Sequence, residues 1–230
     1  MRFGVLQAGR VPPPLDTHGD YTHMFRELLC QVASDVEVQR YEVTLGEHPE
    51  RTDECDAWII SGSAHGVHDD FDWLRGLEDF VSDLLAQERK TIGICFGHQL
   101  IAKLLGGEVE KAKVGWCTGV THYLDETSDQ NGARQLRLIA SHQDQVERMP
   151  KDARLKLSAP NCPIAGFSLG DHVITVQGHP EFTPDFARAL YEVRREVIGE
   201  TGYRRAIASL DLPLDNLEVA EEIMSFVRDR

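Results

Sequence analysis

The 230-residue chain has no long hydrophobic run. Its apolar stretches, such as Ala57–Ile60 and Thr91–Phe96, fall far short of the roughly 20 residues a membrane-spanning helix needs. Positive charge is scarce: 24 Lys and Arg face 38 Asp and Glu, a net charge of −14. Nucleic acids and anionic lipid surfaces are themselves polyanions, so neither a nucleic-acid nor a membrane partner is expected. Cysteine is sparse and odd in number. Cys30, Cys55, Cys95, Cys117 and Cys162 contain no C-x-x-C pair, which argues against a disulfide framework and a zinc ribbon. The N-terminus lacks an apolar signal core, because Gln7, Gly9 and Arg10 interrupt it. These absences lead us to expect a cytoplasmic protein without a cofactor or metal.

With 41% hydrophobic residues, the chain is long enough to bury one sizeable core. No internal repeat or strong boundary divides it, so residues 1–230 read as one domain. The first half alternates strand-like runs with helical patterns. Strands are expected at Arg2–Gln7, Val36–Val43, Asp56–Ser61 and Thr91–Ile94, and helices at Tyr21–Val32, Phe71–Gln87 and Gln99–Leu105. This β-α order implies an α/β fold: an open, mixed, mostly parallel sheet with helices on both faces. The second half is richer in strands: Val120–Leu124, Leu136–Ala140, Leu155–Ser158, Ile164–Ser168 and Val173–Gln177. Closing helices are expected at Pro184–Ile198 and Leu217–Val227. The loop Gly9–Gly19, with three consecutive prolines, follows the first strand and reads as a gate rather than a linker.

The most informative stretch is Thr91-Ile92-Gly93-Ile94-Cys95-Phe96-Gly97-His98-Gln99. A β-branched run enters G-x-C-x-G and a helix follows at once. This is the thiol form of a nucleophile elbow, a sharp turn that lifts one side chain above a sheet edge. Cys95 would lie at a helix N-terminus, where the dipole favours the thiolate. The bland alternative is a buried cysteine at a strand end. A second stretch, Gln177-Gly178-His179-Pro180-Glu181, ends another strand. His179 and Glu181 stand two residues apart, hence on one side of extended chain. The carboxylate can then hold one imidazole nitrogen while the other faces a nucleophile; the alternative is a surface turn.

Ser61-Gly62-Ser63-Ala64 is a small-residue turn after a strand, and its N–H groups, with that of Phe96, can form an oxyanion hole. His65-x-x-His68-Asp69-Asp70 has metal-ligand residue types, with a solvated loop as the plainer reading. Ser141-His142-Gln143-Asp144 is by composition a polar strand-to-turn junction.

Together these motifs resemble class I (triad-type) glutamine amidotransferases in order and spacing, from Arg2 to about Phe182. The resemblance implies a flavodoxin-like amidotransferase fold. It also implies Cys95 as nucleophile, His179 as base and acid, and Glu181 as its orienter. Gln99, Ser141 and His142 match substrate-holding positions, and Gly62, Ser63 and Phe96 match the oxyanion turn. The turn Gly62-Ser63-Ala64 departs from the Gly-Gly-Pro or Gly-Pro-Gly of synthetase-linked members. The run from Ile60 to Trp73 is closer to stand-alone members, including γ-glutamyl peptidases.

The implied chemistry is hydrolysis or transfer of the γ-glutamyl group of glutamine, or of a γ-glutamyl amide or peptide, through a thioester. Arg10 and Lys113 are candidate partners for an anionic group on the substrate. Two other readings stand beside it: an ammonia-supplying subunit with a synthetase partner in trans, and a non-catalytic redox-sensing or binding protein of the same fold.

Overall fold

The computed structural model describes residues 1–128 and 134–229. Five parallel strands form its centre, in the order β2 (Glu37–Tyr41), β1 (Arg2–Leu6), β3 (Ala57–Ile60), β4 (Thr91–Ile94) and β11 (Val173–Val176). All four residues of β3, β4 and β11 are buried, as in a sheet covered on both faces. Period-two alternation splits their side chains between two cores. Phe3, Val5, Ala57, Ile59, Ile92 and Ile94 face α1 (Tyr21–Cys30) and α7 (Asn216–Arg228). Leu6, Trp58 and Ile60 face α2 (Asp72–Ala86) and α3 (Phe96–Leu104). α2 buries Leu74, Leu77, Val81 and Leu84, one stripe of an amphipathic helix.

Beyond β11 the sheet turns antiparallel, through β10 (Cys162–Leu169), β9 (Arg154–Ala159), β6 (Cys117–Asp125) and β7 (Gln135–His142). This half curls back on itself. His179, three residues past β11, donates its N–H to the Ile139 carbonyl of β7 at 2.8 Å. Gly178 sits in that closure. A Cβ there would lie 2.9 Å from the Tyr123 ring and 3.0 Å from Leu138 Cβ, so only glycine fits without displacement. A small ladder of β5 (Glu108–Lys111) and β8 (Asp144–Arg148) joins β10 at Ile164 and Val146.

A third cluster, with Leu15, Phe182, Phe186, Tyr191, Ala206 and Leu210, seats α4 (Pro184–Val193) and α6 (Glu200–Ser209). Leu15 packs the proline loop against this cluster, so the loop expected to gate the site is anchored at that point. The expected helix Pro184–Ile198 breaks at Arg194, whose φ of −93° and ψ of 7° leave helical geometry before α5 (Arg195–Ile198). The strands β5 and β8 and the helix α6 have no counterpart among the elements expected from the sequence. Each ladder strand buries little apolar surface, and α6 buries only Ala206. Among the described residues, no helix is long and apolar enough to cross a membrane.

Candidate active site

The candidate residues gather at the carboxyl ends of the parallel strands, where open α/β sheets place their ligands. Cys95 lies between β4 and α3 with φ 51° and ψ −100°, a positive-φ conformation costly for a non-glycine residue. Its flanking glycines explain how the turn closes. A Cβ at Gly93 would lie 2.7 Å from the Gly97 carbonyl carbon, and one at Gly97 would lie 2.4 Å from the Ile60 carbonyl oxygen. Backbone bonds hold the turn from both sides, Cys95 N–H to the Val176 carbonyl (2.9 Å) and Gln99 N–H to the Cys95 carbonyl (3.1 Å). The N–H of Phe96, at the first position of α3, and that of Ser63 donate to no protein group among the described residues.

His179 approaches from the end of β11. Its Nδ1 lies 2.8 Å from Glu181 Oε1, and because an ionised carboxylate only accepts, Nδ1 carries the proton and Nε2 is left for another partner. The ring stacks on Phe182, with centroids 3.9 Å apart and planes 6° off parallel. Cys95, His179 and Glu181 are 5%, 3% and 3% exposed, so all three groups are screened from bulk water. Burial alone would disfavour an imidazolium. The Glu181 carboxylate and the Cys95 sulfur outweigh it and raise the His179 pKa to about 10. Gly62 fills the space between the two groups. A Cβ there would lie 2.8 Å from His179 Cε1 and 3.8 Å from Cys95 Cβ.

Gln99, Ser63, Phe96, Ser141 and His142 line one cavity with Cys95, of about 290 Å³. Both amide protons of Gln99 are engaged, by the Asp144 carbonyl (2.7 Å) and Gln177 Oε1 (3.1 Å). This pins the side chain and leaves its own oxygen as an acceptor. His142 donates from Nδ1 to the Asp144 carbonyl at 3.0 Å. Burial lowers its pKa to about 4, so it is neutral and its Nε2 is an acceptor.

The expected cations are replaced by others. Neither Arg10 nor Lys113 lines this cavity; Lys111 and Arg194 do. Lys111 ends β5 opposite Asp144, and the chain then turns, leaving Lys113 exposed on the turn. Arg194 donates to Ser141 Oγ at 2.8 Å and lies over the Trp116 ring, 5.5 Å from its centroid. Sequence reading misses Arg194 because a charge in a helical pattern resembles a solvated face; the signal is the break in that helix. It passes over Trp116 and Phe182 as well, although Phe182 directly follows the Glu181 motif. The His65–Asp70 segment brings no group of three or more His, Cys, Asp or Glu together among the described residues. His65 instead packs on Phe71 and Trp73, and His68 donates to the Val109 carbonyl.

The model for the family described as glutamine amidotransferase class-I matches residues 14–192. Gamma-glutamyl peptidase 4 of Arabidopsis thaliana is 34% identical over 179 residues, covering 74% of this chain and 70% of that protein. A glutamine-hydrolyzing GMP synthase subunit from Sulfolobus acidocaldarius is 30% identical over 166 residues, covering 71% of this chain and 85% of the relative. In fold, a glutamine amidotransferase from Thermotoga maritima superposes with a TM-score of 0.76 at 17% identity, over 99% of this chain and 96% of that one. The chain therefore belongs to the class I glutamine amidotransferase family.

Proposed function

We propose that the chain hydrolyses or transfers the γ-glutamyl group of glutamine, or of a γ-glutamyl amide or peptide, through a thioester on Cys95. The observation that carries this reading is the convergence on one sheet edge of a cysteine in a strained turn and a histidine oriented by a buried carboxylate. Cys95 sulfur adds to the γ-carbonyl carbon. The Ser63 and Phe96 N–H groups receive the oxyanion, where losing one such donor typically costs about 3–4 kcal/mol. His179 gives its proton to the departing nitrogen as the C–N bond breaks, an effect typically worth on the order of 10²–10⁴-fold. Water, deprotonated by His179, then cleaves the thioester and releases glutamate. An acceptor amine in place of water gives transfer.

Within this chemistry we favour a free-standing γ-glutamyl hydrolase. The turn Gly62-Ser63-Ala64 and the likeness to gamma-glutamyl peptidase 4 support it. A second reading, an ammonia-supplying subunit with a synthetase partner in trans, is favoured by the alignment spanning 85% of the GMP synthase relative. Glutamate release from glutamine and from a panel of γ-glutamyl amides and peptides, beside a Cys95→Ala control, tests the proposal. Turnover of γ-glutamyl peptides above glutamine, lost in the control, is expected. Turnover that persists in the control would overturn the role of Cys95.

A further inference from the structure

A second cavity, of about 490 Å³, adjoins the one that holds Cys95; Trp116 and His142 belong to both walls. It arises from topology. β6 pairs with β9 only at Leu124 and Asp125, so its first half diverges from the Ala159–Cys162 turn and leaves a gap. α6 closes one side. Ser209 Oγ accepts from the Val120 N–H at 2.8 Å, and Tyr191 Oη bridges the Gly119 N–H (2.9 Å) and the Ala140 carbonyl (2.6 Å).

The charge of this wall is unlike that of the chain. The protein carries 38 acidic residues, yet no Asp or Glu lines the cavity among the described residues. Arg205 of α6 does line it. Most arginines here are ion-paired or bonded to backbone carbonyls, including the neighbouring Arg204, bound to Glu200. Arg205 has no acidic partner within salt-bridge distance among the described residues, and it shares this wall with Cys117. A free guanidinium facing an acid-free cavity is a receptor for a carboxylate or similar anion. The volume lies within the range of ordinary ligand sites, about 300–1,000 Å³. Departing ammonia would need neither that volume nor that charge.

We propose that this second cavity receives the leaving group, and that the preferred leaving group is an amino acid or short peptide whose free carboxylate binds Arg205. The inference rests on the γ-glutamyl reading above and adds to it a subsite and a charge requirement. His179 protonates the nitrogen as its bond to the γ-carbonyl breaks, and the released amine occupies the cavity until water attacks the thioester.

The test compares a γ-glutamyl dipeptide having a free C-terminal carboxylate with the same compound as its C-terminal amide. In the native protein kcat/KM should favour the acid by about tenfold, the lower end for a charge-assisted bond, because Arg205 is exposed. Arg205→Met should reduce that ratio to near one, and Arg205→Lys should retain part of it. A native ratio near one, or an unchanged ratio in Arg205→Met, overturns the inference while leaving the γ-glutamyl chemistry intact. If neither compound nor glutamine is turned over, the function proposal fails. Binding then decides the subsite: calorimetry on Cys95→Ala protein should show the free dipeptide acid binding more tightly than its amide, and equal affinities overturn it.

Discussion

Gly62→Ala isolates the geometry of the site from the stability of the fold. Gly62 does not have a positive φ, so alanine adds no backbone strain; it adds one methyl group. That methyl would lie 2.8 Å from His179 Cε1, whereas ordinary contact begins at 3.4 Å. The ring must therefore give by about half an ångström or more. It has little room, because Phe182 is stacked on its face and Glu181 holds Nδ1. Misplacement of a reacting group by about 1 Å can cost on the order of 10²-fold. We expect kcat/KM to fall about 10–100-fold, equivalent to about 1.4–2.7 kcal/mol in the barrier. Overpacking of this kind typically costs about 1–3 kcal/mol of stability, which leaves an ordinary domain folded. The assay pairs initial rates of glutamate release with chemical denaturation of the same preparation. A folded variant with kcat/KM within threefold of the native value would refute the argument. So would activity lost only in proportion to the unfolded fraction. Gly97→Ala is the contrast, because its methyl would meet the Ile60 carbonyl oxygen at 2.4 Å and Cβ at 2.7 Å, atoms fixed to the strand that no rotamer change can move aside, and failure to fold is expected.

Other predictions follow from contacts elsewhere. Glu181→Gln should lower kcat on the order of 10²–10⁴-fold with little change in KM, since it frees the imidazole tautomer without touching substrate; an unchanged kcat in steady-state assays would contradict this. Burial holds the His98 pKa at about 3 and that of His142 at about 4, below the unfolded value near 6.5. The unfolded chain therefore binds protons first as pH falls below about 6.5, and stability declines from there toward the folded pKa values. By pH 5 each histidine should cost about 2 kcal/mol, at 1.36 kcal/mol per pH unit. Urea titrations at pH 7 and pH 5 should show this loss, and His98→Gln should remove about half of it. Asp215→Ala should lower the denaturation midpoint, as it strips Arg137 of a two-pronged partner (2.7 and 2.8 Å) joining α7 to β7; an unchanged midpoint would count against it.

The parallel half is legible because its strands are buried on both faces and read as unbroken apolar runs between helical patterns. The elements that escape are held by neighbours rather than by their own pattern. β5 and β8 bury Val109 and Val146 and are otherwise mostly polar, and their ladder exists because each covers the other. α6 is too polar to announce itself and is fixed through Ser209 and Tyr203. The same division runs through the site. Cys95, His179 and Glu181, the residues of the proposed mechanism, can be singled out in the sequence because they carry local spacing: a glycine-flanked turn, and an imidazole two residues from a carboxylate. Lys111 and Trp116, from the end of β5 and its connection to β6, meet Arg194, from the break after α4, only in three dimensions. Arg10, just past the first strand, is the candidate the sequence offers, yet the helix break at residue 194 brings Arg194 to Ser141 instead.

The bond from the His179 N–H to Ile139 makes this histidine a keystone. The antiparallel strands leave β11 on one side and return to it at this one residue, so its backbone belongs to both ends of an arch. A residue carried on a loop drifts with that loop. A keystone moves only when the arch does, and this arch encloses Tyr123, Leu138 and Leu157 in packed contact. The imidazole thus takes its placement from the whole span of strands, and cutting any strand of the arch should loosen it even where no side chain near Cys95 has changed.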